Sequence, residues 1–216
     1  MATTTEDRLA ILESELGVLR DKDAIRDVIH RYCRAADRCD LDAFKACYWP
    51  DGHDDHGFFS GNAHAFCDYV IPVLRQIEAS IHAITNTIID LKGSQAFCES
   101  QWSVVHRLRQ PDGDGFLDYW HQGRYIDIFE KRDGVWKILC RTIASDMDRL
   151  VRTKDMRAIM DQFSGVEARD AANQSGRGAR HPNDPVYVGF NLLGSVETRD
   201  PVPDLWAAFY ALDKVL

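Results

Sequence analysis

Helices first and long antiparallel strands after them: this order predicts an α+β domain whose helices cover one face of a sheet. Two periodicities carry the prediction. Apolar residues recur at three- and four-residue steps through most of the first 80 residues, and alternate at two-residue steps from Ile81 to Leu150. A third observation is the punctuation, in which Lys92-Gly-Ser, Gln110-Pro-Asp-Gly-Asp-Gly115 and Arg132-Asp-Gly134 separate the alternating runs.

Taken in order, residues 5–20 place Leu9, Leu12, Leu16 and Leu19 on a short heptad-like seam. It is too brief for an independent coiled coil and is expected to dock on the domain or on a neighbouring subunit. Asp21 or Asp23 is expected to cap the next helix, which runs to about Arg38 with Ile25, Val28, Ile29, Tyr32, Cys33 and Ala36 on its apolar stripe. Asp40-Leu-Asp42 starts a short helix ending near Tyr48, and Pro50-Asp-Gly52 breaks it. Residues 53–59 read as a polar edge strand. Ala63 to Ala79 returns to helical spacing, with Pro72 expected to kink or divide it. Strands follow at 81–91, 97–108, 116–131 and 135–150, the last two joined by an Asp-Gly turn that is a strong hairpin signal. Residues 1–20 thus form a docking helix and 20–151 the core domain. Residues 152–216 form an extension, with helical spacing near 152–163 and 203–216 and a loop-rich 165–185 between. Two roles remain open for it: a lid over a cavity mouth, or a subunit contact.

Composition excludes several classes. With 216 residues the chain suits one domain plus elaborations, and a net charge of −8 argues against a nucleic-acid partner. No apolar run is long enough to span a bilayer, and no basic-then-apolar leader opens the sequence, so a cytoplasmic location is expected. Six dispersed cysteines without a CxxC pair read as reduced thiols on apolar faces, poor candidates for nucleophiles. There is no phosphate-cradling loop and no dinucleotide fingerprint. His53-Asp-Asp-His56 raises a metal site, but residues three apart in a strand point to opposite faces, so no metal is expected.

Acid–base chemistry is the better candidate. Asp37 ends the apolar stripe of its helix, where a carboxylate faces the negative end of the helix dipole. His82 heads the first long strand, where it can face that helix end. A carboxylate that orients an imidazole makes a general base; the bland alternatives are a polar turn at Asp37 and a histidine satisfied by a backbone carbonyl. Tyr32, on the apolar face before Asp37, is a candidate acid or hydrogen-bond donor, or else a core tyrosine. Arg141 shares an apolar face with Leu139 and Ile143. It must find an anion: a pocket carboxylate or a substrate oxygen, which makes it, with Tyr32, a catalytic candidate for stabilising the oxygen or leaving group as charge develops, or else a structural partner in Asp146 or Asp127. Trp49, Trp102, Tyr119, His121 and Tyr125, with His106, are candidates for packing an aromatic substrate or for the core. Which strand face looks inward depends on register, and a one-residue shift reverses it.

Two stretches carry a resemblance. D-x-x-A-I-R-D-V-I-H-R-Y-C-R-A-A-D-R-C-D-L-D-A-F (from Asp21) and G-R-Y-I-D-I-F-E-K-R-D-G-V-W-K-I-L-C-R-T-I-A-S-D (Gly123 to Asp146) resemble the opening helix and the last hairpin of SnoaL-like proteins of the nuclear transport factor 2-like superfamily. The resemblance implies a curved sheet closed by the helices into a cone-shaped α+β barrel. It implies an Asp–His dyad at Asp37 and His82, with Tyr32 lining the pocket. The activity it implies is cofactor-independent elimination, as in the superfamily's dehydrochlorinases, dehydratases and a lignin diarylpropane lyase. A homo-oligomer, dimer or trimer, is expected with it. The alternatives are a structural small subunit of an aromatic-ring dioxygenase and a non-catalytic binder of hydrophobic ligands.

Overall fold

The computed structural model describes residues 4–111, 115–154, 179–184 and 186–187. Helix α1 runs unbroken from Thr5 to Arg38. Thr4 caps it by accepting from the Asp7 amide, while the Asp7 carboxylate accepts from Thr4 in return. The expected break at residue 20 is therefore absent, and Asp21 is not a cap. It sits mid-helix and accepts from Lys131 Nζ (2.6 Å) and Trp136 Nε1 (2.8 Å), tying the helix to the final hairpin. The two ends of α1 differ sharply. Ile25, Ile29 and Tyr32 are buried, whereas Leu12 and Leu19 are 61% and 64% exposed. Among the described residues, the leucine seam does not dock on the domain.

Helix α2 (Leu41–Ala46) is capped by Asp40, and α3 (Ala63–Leu74) by Asn62, with Pro72 held in its last turn. The strands are β1 (Tyr48–Asp55), β2 (Ser60–Asn62), β3 (Ala79–Lys92), β4 (Gln95–Arg109), β5 (Phe116–Arg132) and β6 (Val135–Thr153). They form one six-stranded sheet in the order β2-β1-β6-β5-β4-β3. The sheet curves around the helices in the cone manner without closing on itself.

Two expectations need correction here. First, β1 is an interior strand, not an edge, because it pairs parallel to β6 on one side and with β2 on the other. Its Trp49-Pro-Asp-Gly52 stretch is a bulge within the strand, not a stop. A Cβ on Gly52 would stand 2.9 Å from Trp49 O and 3.0 Å from Leu139 O, so the close approach needs glycine. Second, the alternation along β3 and β6 is broken. Thr85 and Asn86 oppose the single Gln101, and Leu139 is an extra residue of β6 opposite the Ile128–Phe129 step. The inward set on β3 is thus Ser80, His82 and Ile84 before the bulge, and Thr87 and Ile89 after it. Likewise Ile138 and Arg141 are both buried, while Leu139 falls between the faces.

The Asp133-Gly134 turn takes positive φ at both positions (50° and 81°), the geometry a tight hairpin requires. Residues 4–154 belong to one compact unit and the described stretch near 180 to a second. In that stretch Asp184 accepts from the Ala179 and Val186 amides. Arg152 and Thr153 continue β6, and the remaining expectations for the C-terminal extension lie outside the described residues. No helix among the described residues is long and apolar enough to cross a membrane.

Candidate active site

The C-terminus of α1 meets the head of β3 through one carboxylate. Asp37 Oδ1 lies 2.6 Å from His82 Nδ1, and Asp37 Oδ2 accepts from the His82 backbone N–H at 2.9 Å. Holding both the ring and the main chain of one residue, Asp37 fixes the imidazole plane. Nδ1 donates to the carboxylate, so the free lone pair is on Nε2. The pair is nearly buried, with 10% and 9% of the His82 and Asp37 side chains exposed. Its outer side borders a shallow pocket of about 290 Å³ lined by His30, Arg34 and Arg38 of α1.

On the inner side His82 opens onto a cavity of about 310 Å³ between the helices and the curved sheet. Its walls are largely apolar and aromatic: Tyr32 and Phe44 from α1 and α2, Phe66 and Val70 from α3, Trp102 from β4, and Tyr125 from β5. Phe58 and Val73 also line it and are 65% and 44% exposed. Trp102 pairs across to Gly123 of β5, where a Cβ would come 2.1 Å from Ala144 O and 2.7 Å from the Trp102 ring. Its ring lies 5.6 Å from Tyr125 and 4.7 Å from His121. Trp102 Nε1 is buried without a hydrogen-bond partner. His106 Nδ1 contacts Ser80 Oγ at 2.9 Å, and its ring stands edge-on to His82 at 5.7 Å. Tyr119 donates to Asp148 and His121 meets Ser145 Oγ at 3.0 Å; burial raises the Tyr119 pKa and lowers that of His121.

A second imidazole faces the same cavity. Asp54 and His56 stand two apart on β1 and its exit, on one side of the backbone. The fully buried Asp54 carboxylate meets His56 Nδ1 with one oxygen and accepts from the Tyr48 hydroxyl with the other. The His56 ring stacks on Phe66 at 4.2 Å, and Nε2 reaches toward the Tyr32 hydroxyl at 3.5 Å. The sequence motif His53-Asp-Asp-His56 does not form one cluster. His53 turns outward to Ser60 Oγ at 3.2 Å, and the described residues hold no group of three or more metal-ligating side chains.

Arg141 and Trp49 lie elsewhere than a substrate-contacting role requires. Arg141 is fully buried behind the wall, in a bidentate pair with Asp127 (2.8 and 2.7 Å). Its guanidinium is sandwiched between the rings of Tyr32 (4.1 Å) and Tyr125 (3.9 Å). Burial opposes its charge, but Asp127, together with Tyr48 and Tyr32, raises its pKa well above the usual value. Arg141 therefore stiffens the two tyrosines from beneath instead of meeting a ligand. Asp146 pairs with Arg124 at the surface. Trp49 turns out of the cavity, donating to Glu130 O at 2.9 Å beneath Arg132 and Lys137. Burial pushes the Cys33 and Cys47 thiols up to about 12, which keeps them protonated.

The remaining sequence candidates, Asp37, His82, Tyr32, Trp102, Tyr119, His121 and Tyr125, converge on this one region. A model of the SnoaL-like domain matches residues 17–142, from within α1 into β6. The chain belongs to the SnoaL-like domain family. Solved structures with the same fold include LinA (18% identity, 72% of this chain and 98% of that one, TM-score 0.58). Another is hexachlorocyclohexane dehydrochlorinase LinA-type3 of Novosphingobium barchaimii (16%, 72% and 98%, TM-score 0.54). A scytalone dehydratase-like protein of Novosphingobium aromaticivorans is a third (20%, 63% and 91%, TM-score 0.55). No curated protein matches the sequence. At these identities the neighbours establish the SnoaL-like fold, and the chemistry must come from the site.

Proposed function

We propose that this SnoaL-like protein is a lyase that performs acid–base elimination on a small aromatic substrate without a cofactor. The observation that carries the reading is the Asp37–His82 pair, held by two hydrogen bonds with the imidazole opening onto an aromatic cavity. His82 Nε2 takes a proton from the substrate, and Asp37 stabilises the imidazolium that forms. Tyr32, whose ionisation is opposed chiefly by burial, stays a neutral phenol and donates to the leaving group as charge develops there. Elimination is redox-neutral, so the chain's own acid and base groups suffice.

The dehydratase- and dehydrochlorinase-type names of the structural neighbours fit this reaction class. The cavity, about 310 Å³, sits at the lower end of ligand pockets, which span roughly 300–1,000 Å³. A lignin-derived diaryl-propanediol is the substrate we favour. Its loss of water and formaldehyde gives a stilbene, and the faces of Tyr125 and Trp102 suit its rings.

The test is an ultraviolet and formaldehyde assay over a panel of aromatic diols and lignin-type dimers, with His82→Ala and Asp37→Asn alongside. New conjugation that both substitutions abolish, with folding intact, supports the dyad lyase, and formaldehyde alongside selects the diarylpropane reaction. Turnover that survives both substitutions contradicts it. Tight binding of stilbenes without turnover by the unaltered protein would make it a binding protein instead.

A further inference from the structure

The elimination above assigns a base and leaves a second imidazole–carboxylate pair on the cavity wall without a role. Burying a carboxylate completely is costly unless it is fully hydrogen-bonded. Asp54 is 0% exposed, and its two oxygens are taken by Tyr48 and His56. The neighbouring buried charges already balance, since Arg141 is matched by Asp127. His56 is the basic group in contact with the Asp54 carboxylate. Stacking on Phe66 holds the His56 ring so that Nε2 points to Tyr32. Topology sets this group across the cavity from the base: β1, which leads into His56, and β3, which carries His82, are separated in the sheet by β6, β5 and β4.

We propose that Asp54, His56 and Tyr32 form a second proton-transfer path, which protonates a departing hydroxyl while His82 takes the substrate's proton. The proposal rests on the lyase reading, and it narrows the substrate to an alcohol, because hydroxide is a poor leaving group whereas a halide leaves as a stable anion without a proton. With a simple alcohol His82 Nε2 gains the proton of the C–H bond, whose electrons form the new C=C bond; with the diaryl-propanediol it gains the terminal O–H proton, the O–H electrons form the C=O of departing formaldehyde, and the pair of the broken C–C bond forms the C=C bond. The C–O bond breaks with its pair on oxygen. Tyr32 gives that oxygen its phenolic proton and recovers one from His56 Nε2. Water and an alkene leave, and one proton returned from His82 to His56 by way of solvent restores the site. Asp54 is a positioning residue that orients His56 and stabilises its charged form.

The experiment compares two probes that yield the same stilbene, 1,2-diphenylethanol and 1-chloro-1,2-diphenylethane, followed by ultraviolet absorbance. In the His56→Gln variant, alcohol elimination falls by about 10²–10⁴-fold, while chloride elimination stays within about threefold of the unaltered protein. A purely structural His56 would slow both probes alike, and an idle one would slow neither; either result overturns the proposal. If His56→Gln does not fold, the smaller His56→Asn must give the same split. The His82→Ala variant separates the two claims. It loses both probes if the lyase reading holds, whatever His56 does, and retains both if that reading fails.

Discussion

The two His–Asp pairs in this cavity are built in opposite ways. Asp37 and His82 are brought together by tertiary packing, helix end against strand head, across 45 positions of sequence. Asp54 and His56 lie two positions apart and come into contact through local strand geometry alone. The first is tied by a backbone N–H as well as a ring nitrogen and borders an outer pocket. The second is closed off at its carboxylate, with Tyr48 as its further partner. The contrast teaches a division of labour: the long-range pair depends on the fold's geometry, while the local pair depends on complete hydrogen bonding of a fully buried carboxylate, with its imidazole 13% exposed to take up protons.

The largest expected effect separates catalysis from stability at the first pair. His82→Ala should lower turnover about 10²–10⁴-fold, equivalent to about 3–5 kcal/mol in the barrier. The unfolding midpoint in urea should move little, because the residue 82 amide still donates to Asp37. A comparable stability loss would mean the pair is structural. Next, Arg141→Met should cost about 3–5 kcal/mol of stability by leaving the buried Asp127 carboxylate unpaired. Adding Asp127→Leu should recover much of that in the same denaturation series. The second pair should respond to Tyr48→Phe, which removes one partner of Asp54 and should cost about 1–3 kcal/mol with no matching change at His82. The last test falls on the wall between the pairs. Gly123→Ala, whose Cβ would stand 2.1 Å from Ala144 O and 2.7 Å from the Trp102 ring, should push β6 and Trp102 apart at a cost of at least about 1–3 kcal/mol and raise the Kd for trans-stilbene, measured by fluorescence quenching.

Much of this could be read from residues, and the misses share a cause. The second half of α1, the strand order in sequence and the Asp133-Gly134 hairpin follow from local periodicity and turn chemistry. The meeting of Asp37 and His82 came from a family resemblance laid over a helix end and a strand head. The signal for Asp54 and His56 is their i, i+2 spacing on a strand, which the i, i+3 histidines of the same motif obscure. Residues 53–59 looked like a polar edge, and only the non-local parallel pairing of β1 with β6 turns Asp54 into the interior. Arg141 matched Ile143 in parity but not Ile138, because the bulge at Leu139 resets the alternation. Trp49 followed the same logic: a bulge beside Pro50 and Gly52 sends its ring out under Arg132. The continuity of α1 through residue 20 was hidden because its exposed leucines and its buried stripe lie on one helix in two environments.

The central claim, that Asp37 and His82 work as one catalytic unit, is tested most directly by a double-mutant cycle on kcat/KM with a diaryl-propanediol. Groups that act through one another lose little further when the second is removed. The double variant Asp37→Asn with His82→Ala should therefore be about as slow as His82→Ala alone. Losses that multiply, or turnover that persists in the double variant, would contradict the account.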